Sequence, residues 1–152
     1  MTKFLSLNVS VREVSYIMNN NDNKPPMMES CVMAGFPSPA EQYVEKALDL
    51  NELLVKHPAG TFFVRVAGDS MVEAGIFPGD ILVVDKAEEA VDGSIVIASI
   101  DGEFTVKYLR HTDRGVQLQA ANPEYPPITF TEGNELQIFG VVTSAIHQFL
   151  KR

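Results

Sequence analysis

Two side chains in this sequence have the types and surroundings for peptide-bond chemistry. Ser70 lies in Gly68-Asp-Ser-Met71, directly after the apolar run Thr61-Phe-Phe-Val-Arg-Val-Ala67, and Lys107 lies inside a second run, Phe104-Thr-Val-Lys-Tyr-Leu109. A hydroxyl at a strand end and a lysine among Val106, Tyr108 and Leu109 are the nucleophile and base of a Ser-Lys hydrolase. An ordinary lysine, with a pKa of about 10.4, carries a free amine in only roughly one molecule in 2,500 at pH 7. Bringing it to the range of about 7 to 8 that a general base needs destabilises the cation by about 3 to 5 kcal/mol, within reach of burial in apolar surroundings. The neighbours of Lys107 permit that burial. Met71-Val-Glu-Ala-Gly-Ile76 can turn helical, so the backbone N–H groups of Asp69 and Ser70 are candidates for an oxyanion hole, worth about 3 to 4 kcal/mol per donor.

Each of these residues also has an ordinary reading. A serine before methionine is commonly a turn or cap residue, and a lone strand lysine is commonly an exposed edge or snorkelling side chain. The other candidates are weaker. Cys31 lacks a histidine at a partnering spacing, and His57, His111 and His147 form no metal-ligand pattern, so neither a metal nor a cofactor is expected. Asp80, Asp85, Asp92 and Asp101 sit beside Gly or Lys at segment ends and read as turn residues, and Asp69 reads as a solvated loop acid.

Composition bounds the function. A chain of 152 residues, 45% hydrophobic and 21% charged, is about one domain with an arm and too apolar to be intrinsically disordered. Its net charge of −8, with no Lys/Arg cluster, opposes a phosphate backbone, so direct nucleic-acid binding is not expected. The lone Cys31 cannot form an internal disulfide, the N-terminus lacks the form of a signal peptide, and no apolar run approaches the roughly 20 residues of a membrane helix. A soluble, cytoplasmic protein is expected.

The elements that must position the serine and lysine follow from periodicity and punctuation. Residues 1–34 read as an arm, with a short alternating strand over Phe4 to Val14 and a polar, turn-prone segment, Asn19 to Pro26, unable to support helix or sheet ladder. Ser38-Pro-Ala-Glu41 has the form of a helix cap, predicting a short helix near 39–48, with a second helical turn over Leu50 to Lys56 ended by Pro58 and Gly60. Beyond Gly60 the pattern is all-β, with strands over Phe62–Ala67, Ile81–Asp85, Ser94–Ile100, Glu103–Leu109, Val116–Gln119, Ile128–Phe130 and Leu136–Ile146. Asp101-Gly102 is a dipeptide that type I′ hairpins prefer. Alternation along the second arm of that hairpin sets Glu103, Thr105, Lys107 and Leu109 on one face and Phe104, Val106 and Tyr108 on the other. The tail from Leu136 to Ile146 is compatible with either a core strand or a subunit interface.

Five separated motifs then carry a resemblance: Ala34-Gly-Phe-Pro-Ser-Pro-Ala40, Gly68-Asp-Ser-Met71, Gly79-Asp-Ile-Leu-Val-Val-Asp85, Gly93-Ser-Ile-Val-Ile-Ala98 and Asp101-Gly-Glu-Phe-Thr-Val-Lys-Tyr-Leu109. In this order they closely resemble the LexA/UmuD family of Ser-Lys autoproteases, from about Ala34 to the C-terminus. The resemblance implies a mainly β, compact peptidase domain with short helices and a flexible N-terminal arm, divided as 1–34 and 35–152. It implies Ser70 as nucleophile, Lys107 as general base, and self-cleavage between Ala34 and Gly35 stimulated by a RecA filament on single-stranded DNA. It further implies an SOS-response role in which the shortened homodimer joins a UmuC-like subunit to form an error-prone translesion DNA polymerase. The arm is longer than the family's, with an Asn-rich insertion.

Three competing readings have distinct signatures. A LexA-like repressor needs an N-terminal helix-turn-helix, for which the arm is too short and too polar. A signal-peptidase-like hydrolase shares the Ser-Lys chemistry but normally has a membrane anchor. A non-enzymatic β-rich dimerisation module would use the fold without the chemistry.

Overall fold

The computed structural model describes residues 25–28, 34–35, 44–130 and 135–150. The chain divides into two compact units, Met1–Leu53 and Leu54–Arg152. The expected division at 34/35 was drawn at a bond, and this one follows packing.

In the first unit, β1 (Pro26–Met28) pairs antiparallel with β2 (Val44–Ala47), with Pro26 opposite Ala47. The Leu48 N–H donates to the Pro25 carbonyl at 2.9 Å, continuing the pairing past the strand ends. Two expectations change here. The helix near 39–48 is replaced over 44–47 by a strand, and residues 39–43 lie outside the described residues. Pro26, assigned from sequence to a segment unable to join a ladder, begins β1. The strand expected over Phe4 to Val14 lies outside the described residues, as does Cys31. A short helix, α1 (Leu50–Leu54), follows, matching the helical turn read from Leu50 onward.

The second unit is built on a seven-stranded sheet made of β3 (Thr61–Arg65), β4 (Ile81–Asp85), β5 (Ile95–Ile100), β6 (Glu103–Thr112), β7 (Gly115–Gln119), β8 (Ile128–Thr129) and β9 (Leu136–Ile146), in the order β3-β4-β9-β5-β6-β7-β8. Every neighbouring pair is antiparallel. The mainly β class read from the sequence is the class observed, with each strand beyond Gly60 found at its expected place and bounds shifted by at most a few residues. β9 bridges β4 and β5: its first half, Leu136 to Val141, pairs with β5, and its second half, Val141 to Ile146, pairs with β4.

The core explains why β5 reads as an unbroken apolar run. Ile97 packs into one cluster with Val66, Met71, Leu82 and Val84, whereas its neighbours Val96 and Ala98 pack into a second with Leu109 and Leu118. A strand buried on both faces loses the apolar–polar alternation of a half-exposed one. On β6 the alternation survives: Val106 and Tyr108 pack against the first cluster and Leu109 belongs to the second.

The hairpin between β5 and β6 fixes the register that places the lysine. Asp101 and Gly102 both have positive φ, 48° and 88°, as the two central residues of a type I′ turn require. From that turn, Ile100 faces Glu103 and Val96 faces Lys107. A one-residue slip would carry Lys107 to the opposite face of the sheet.

Candidate active site

Ser70 reaches its place through a turn. β3 ends at Arg65, and Gly68, at φ 84°, takes a left-handed conformation that a side chain would strain. A short 3-10 helix, Val72–Ala74, follows the serine. Met71 anchors this turn: its side chain is fully buried in the first core cluster, and its Sδ accepts the Ala121 N–H at 3.4 Å. The serine is half-buried on a turn whose next residue is held by the core.

Lys107 approaches from β6. Its Nζ lies 3.0 Å from Ser70 Oγ, 2.7 Å from Thr105 Oγ1 and 3.1 Å from the Val106 carbonyl oxygen. The residue is only 8% exposed. Among the described residues no carboxylate pairs with it, and burial pushes its pKa below the ordinary lysine value. Desolvation penalises the cation while all three partners are neutral oxygens, which compensate weakly for lost water. A neutral amine at this position accepts a proton from a hydroxyl at hydrogen-bonding distance. A cavity of about 230 Å³ opens beside Ser70, lined in part by Val64, Ala67, Ser70, Phe104 and Thr105.

The two residues expected to act together are therefore in contact. Asp69, offered from sequence with Ser70 as a backbone oxyanion donor, occupies the turn directly before it. Ala34 and Gly35 are exposed and belong to the first unit.

Several residues escaped sequence reasoning. Thr105 was placed on the face of Lys107 by alternation but given no task, although a two-residue spacing on a strand is the signal for such a contact. Asn122 donates through Nδ2 to the Asp69 carbonyl at 3.0 Å, and the Tyr125 hydroxyl donates to Asp69 Oδ1 at 2.6 Å. These two residues sit in a proline-rich connection with no periodicity, so no spacing pointed to them. Asp69 is consequently not a merely solvated loop acid: it is exposed, but both its polar groups are held. Tyr125 in turn has its pKa raised, first by the hydrogen bond to Asp69 and then by that carboxylate's charge.

Asp80 and Asp85 correct the turn-residue reading more sharply. They are 2% and 3% exposed. Asp80 accepts the Phe77 N–H at 2.9 Å and lies 2.5 Å from His147 Nδ1, and Asp85 lies 2.6 Å from His57 Nδ1 and accepts the Ala87 N–H at 2.8 Å. Burial works to raise the Asp80 pKa, yet the Phe77 N–H and His147 outweigh it and leave it lowered. Asp85 is lowered chiefly by the hydrogen bond to His57. Glu88 brings a third donor atom within 4.8 Å of His57 and Asp85, but that pair already satisfies itself directly.

An antiparallel β domain presenting a serine hydroxyl to a buried lysine defines a class of peptidase-like folds. The chain belongs to the Peptidase S24-like family, which matches residues 26–143. Protein SamA of Salmonella typhimurium is 55% identical over 124 residues, covering 82% of this chain and 85% of SamA. Protein ImpA of Escherichia coli is 48% identical over 124 residues, 81% of this chain and 83% of its own. The LexA repressor of Ectopseudomonas mendocina is 38% identical over 130 residues, covering 85% of this chain and 63% of that repressor. The family resemblance read from separated motifs is thereby borne out. Among the described residues, no helix is long and apolar enough to cross a membrane.

Proposed function

We propose that this chain is a self-cleaving serine peptidase in which Ser70 is the nucleophile and Lys107 the general base, cutting between Ala34 and Gly35. The observation that carries the reading is the 3.0 Å approach of a buried, carboxylate-free lysine amine to the serine hydroxyl. Neutral Lys107 takes the proton of Ser70 as Oγ attacks the Ala34 carbonyl carbon. The tetrahedral oxyanion is held by the backbone N–H groups of Asp69 and Ser70. The protonated lysine then gives its proton to the Gly35 amine as the peptide bond breaks, leaving an acyl-enzyme through Ala34 that water hydrolyses. Small residues on both sides of the bond suit a narrow cleavage site, and Gly35 lets the backbone take conformations that a side chain would forbid.

A nucleophile with a single bond to cut in its life needs no high turnover. Attachment of the substrate segment to the same chain or dimer supplies a high effective concentration. In this reading residues 1–34 form an arm removed by cleavage, and residues 35–152 act afterwards as a homodimer. The trigger is a RecA filament on single-stranded DNA, and the shortened dimer serves as accessory subunit to a UmuC-like polymerase in error-prone translesion synthesis during the SOS response. The similarity to SamA, ImpA and the LexA repressor supports that placement.

Intact-mass measurement tests the chemistry. Incubation at alkaline pH, or with RecA, ATP and single-stranded DNA, is expected to yield a fragment beginning at Gly35 from the wild type and none from Ser70→Ala. A fragment beginning elsewhere removes the bond assignment, and unabated cleavage in Ser70→Ala removes the nucleophile.

A further inference from the structure

The peptide that precedes Ser70 is gripped from a distant part of the chain. Asn122 Nδ2 donates to the Asp69 carbonyl at 3.0 Å, and the Tyr125 hydroxyl donates to the Asp69 carboxylate at 2.6 Å. The same connection between β7 and β8 is tied to the following residues, because the Ala121 carbonyl accepts the Glu73 N–H at 2.9 Å. The Asp69 carboxylate thus points toward this connection, and its carbonyl is shared between Asn122 and the Val72 N–H, the latter at 3.4 Å.

The geometry points to Asn122 and Tyr125 as positioning residues that aim the Ser70 N–H at the oxyanion and hold the Asp69 charge away from it. This rests on the reading of Ser70 as nucleophile. In a trans peptide the carbonyl of one residue and the N–H of the next point in opposite directions, and the described residues contain no cis peptide. Asn122 makes the shorter of the two hydrogen bonds to the Asp69 carbonyl, the Val72 N–H the longer, and holding that carbonyl fixes the Ser70 N–H on the other side, where a developing oxyanion would sit. The second half of the device is electrostatic. A carboxylate one residue before the nucleophile opposes negative charge on the reacting oxygen, and a short hydrogen bond to Tyr125 both delocalises that charge and fixes its direction.

Titration separates this role from simple scaffolding. The charged groups acting on Tyr125 are Asp69 and Glu124, and both hold its proton on. Once the phenol ionises, well into alkaline pH, the donor to Asp69 is lost and two anions face each other. Cleavage should then fall with further rise in pH, giving a descending limb beyond the ascending limb set by Lys107.

The test is self-cleavage of the full chain across alkaline pH, followed by intact mass, in the wild type, Asn122→Ala, Tyr125→Phe, Asp69→Asn and Ser70→Ala. Asn122→Ala is expected to slow cleavage by about tenfold to a hundredfold, less than the ~10²–10³ for removing an oxyanion donor outright. Tyr125→Phe should be roughly tenfold slower and lose the descending limb. Asp69→Asn removes one of the two facing anions and offers an amide N–H to the ionised phenol, so the descending limb should be lost in this variant too. A Tyr125→Phe chain that is slower yet keeps the descending limb overturns the assignment, as do wild-type rates and profiles in both Asn122→Ala and Tyr125→Phe. Cleavage surviving in Ser70→Ala refutes the nucleophile reading itself, and this inference with it.

Discussion

Two regions of the sheet domain bury titratable groups and treat them in opposite ways. At the ends of β4, Asp80 and Asp85 are buried as anions and compensated: each accepts a backbone N–H and a histidine Nδ1, and each has a lowered pKa. On β6, Lys107 is buried without an anionic partner among the described residues, held only by neutral oxygens, and its pKa is also lowered. For an acid, a lowered pKa means the charge is kept. For a base, it means the charge is given up. The first arrangement compensates its buried charge, and the second leaves a buried amine without an anionic partner at a cost in stability, an arrangement common at functional sites.

The largest effect expected from breaking this contrast is on cleavage. Lys107→Met should abolish formation of the fragment beginning at Gly35, a loss of at least the roughly 10²–10⁴ that general-base catalysis supplies. In the wild type the rate should climb with pH until it passes the lowered Lys107 pKa, then level before the decline assigned to Tyr125. A rate independent of pH from neutrality upward would show that no lysine titration limits the reaction.

The second contrast is in stability, and its sign differs between the regions. Asp80→Asn removes a compensated charge and should destabilise the fold at pH 7 by about 1–3 kcal/mol, read from denaturant unfolding. Because the folded pKa of Asp80 lies below its unfolded value, its contribution is present above the unfolded pKa and lost as pH falls through the folded one. The deficit of Asp80→Asn should therefore shrink in acid. Lys107→Met should do the reverse and stabilise by about 1–2 kcal/mol at pH 7. Below its ordinary pKa the unfolded lysine binds more protons than the folded one, so wild-type stability rises with pH between the lowered and ordinary values. The advantage of the methionine variant should narrow across that window. A methionine variant less stable than wild type at neutral pH would mean that the lysine is compensated after all.

The same contrast marks what could be read before any coordinates. Ser70 and Lys107 were legible because each sits in a motif next to a strand whose period is plain, and the Asp101-Gly102 turn pins the register of β6. Asp80 and Asp85 were not, because their histidines come from elsewhere: Asp80 meets a residue 67 positions away and Asp85 one 28 away. A carboxylate beside glycine has the local signature of a turn whether or not a distant imidazole buries it. The helix near 39–48 failed for a related reason. The cap pattern of Ser38-Pro-Ala-Glu41 is local, whereas Val44–Ala47 answers to pairing with Pro26–Met28, and such tertiary pairing overrides weak helix propensity. Asn122 and Tyr125 lie in a segment without periodicity, where types alone give no direction.

The finest test of the comparison lies within the acid pairs, at His57. Its side chain is 47% exposed, so solvent screens its interaction with Asp85 and the net effect of the pair at pH 7 is small. His57→Gln should lower the melting temperature by less than about 4 °C, below the loss for Asp80→Asn. Its acid limb should be more informative. The His57 hydrogen bond is the largest cause of the lowered Asp85 pKa, so without it the carboxyl takes up its proton at higher pH and acid unfolding should begin earlier. A melting temperature and an acid midpoint both unchanged would mean that the backbone N–H groups of Ala87 and Glu88 satisfy Asp85, and that the imidazole merely covers it.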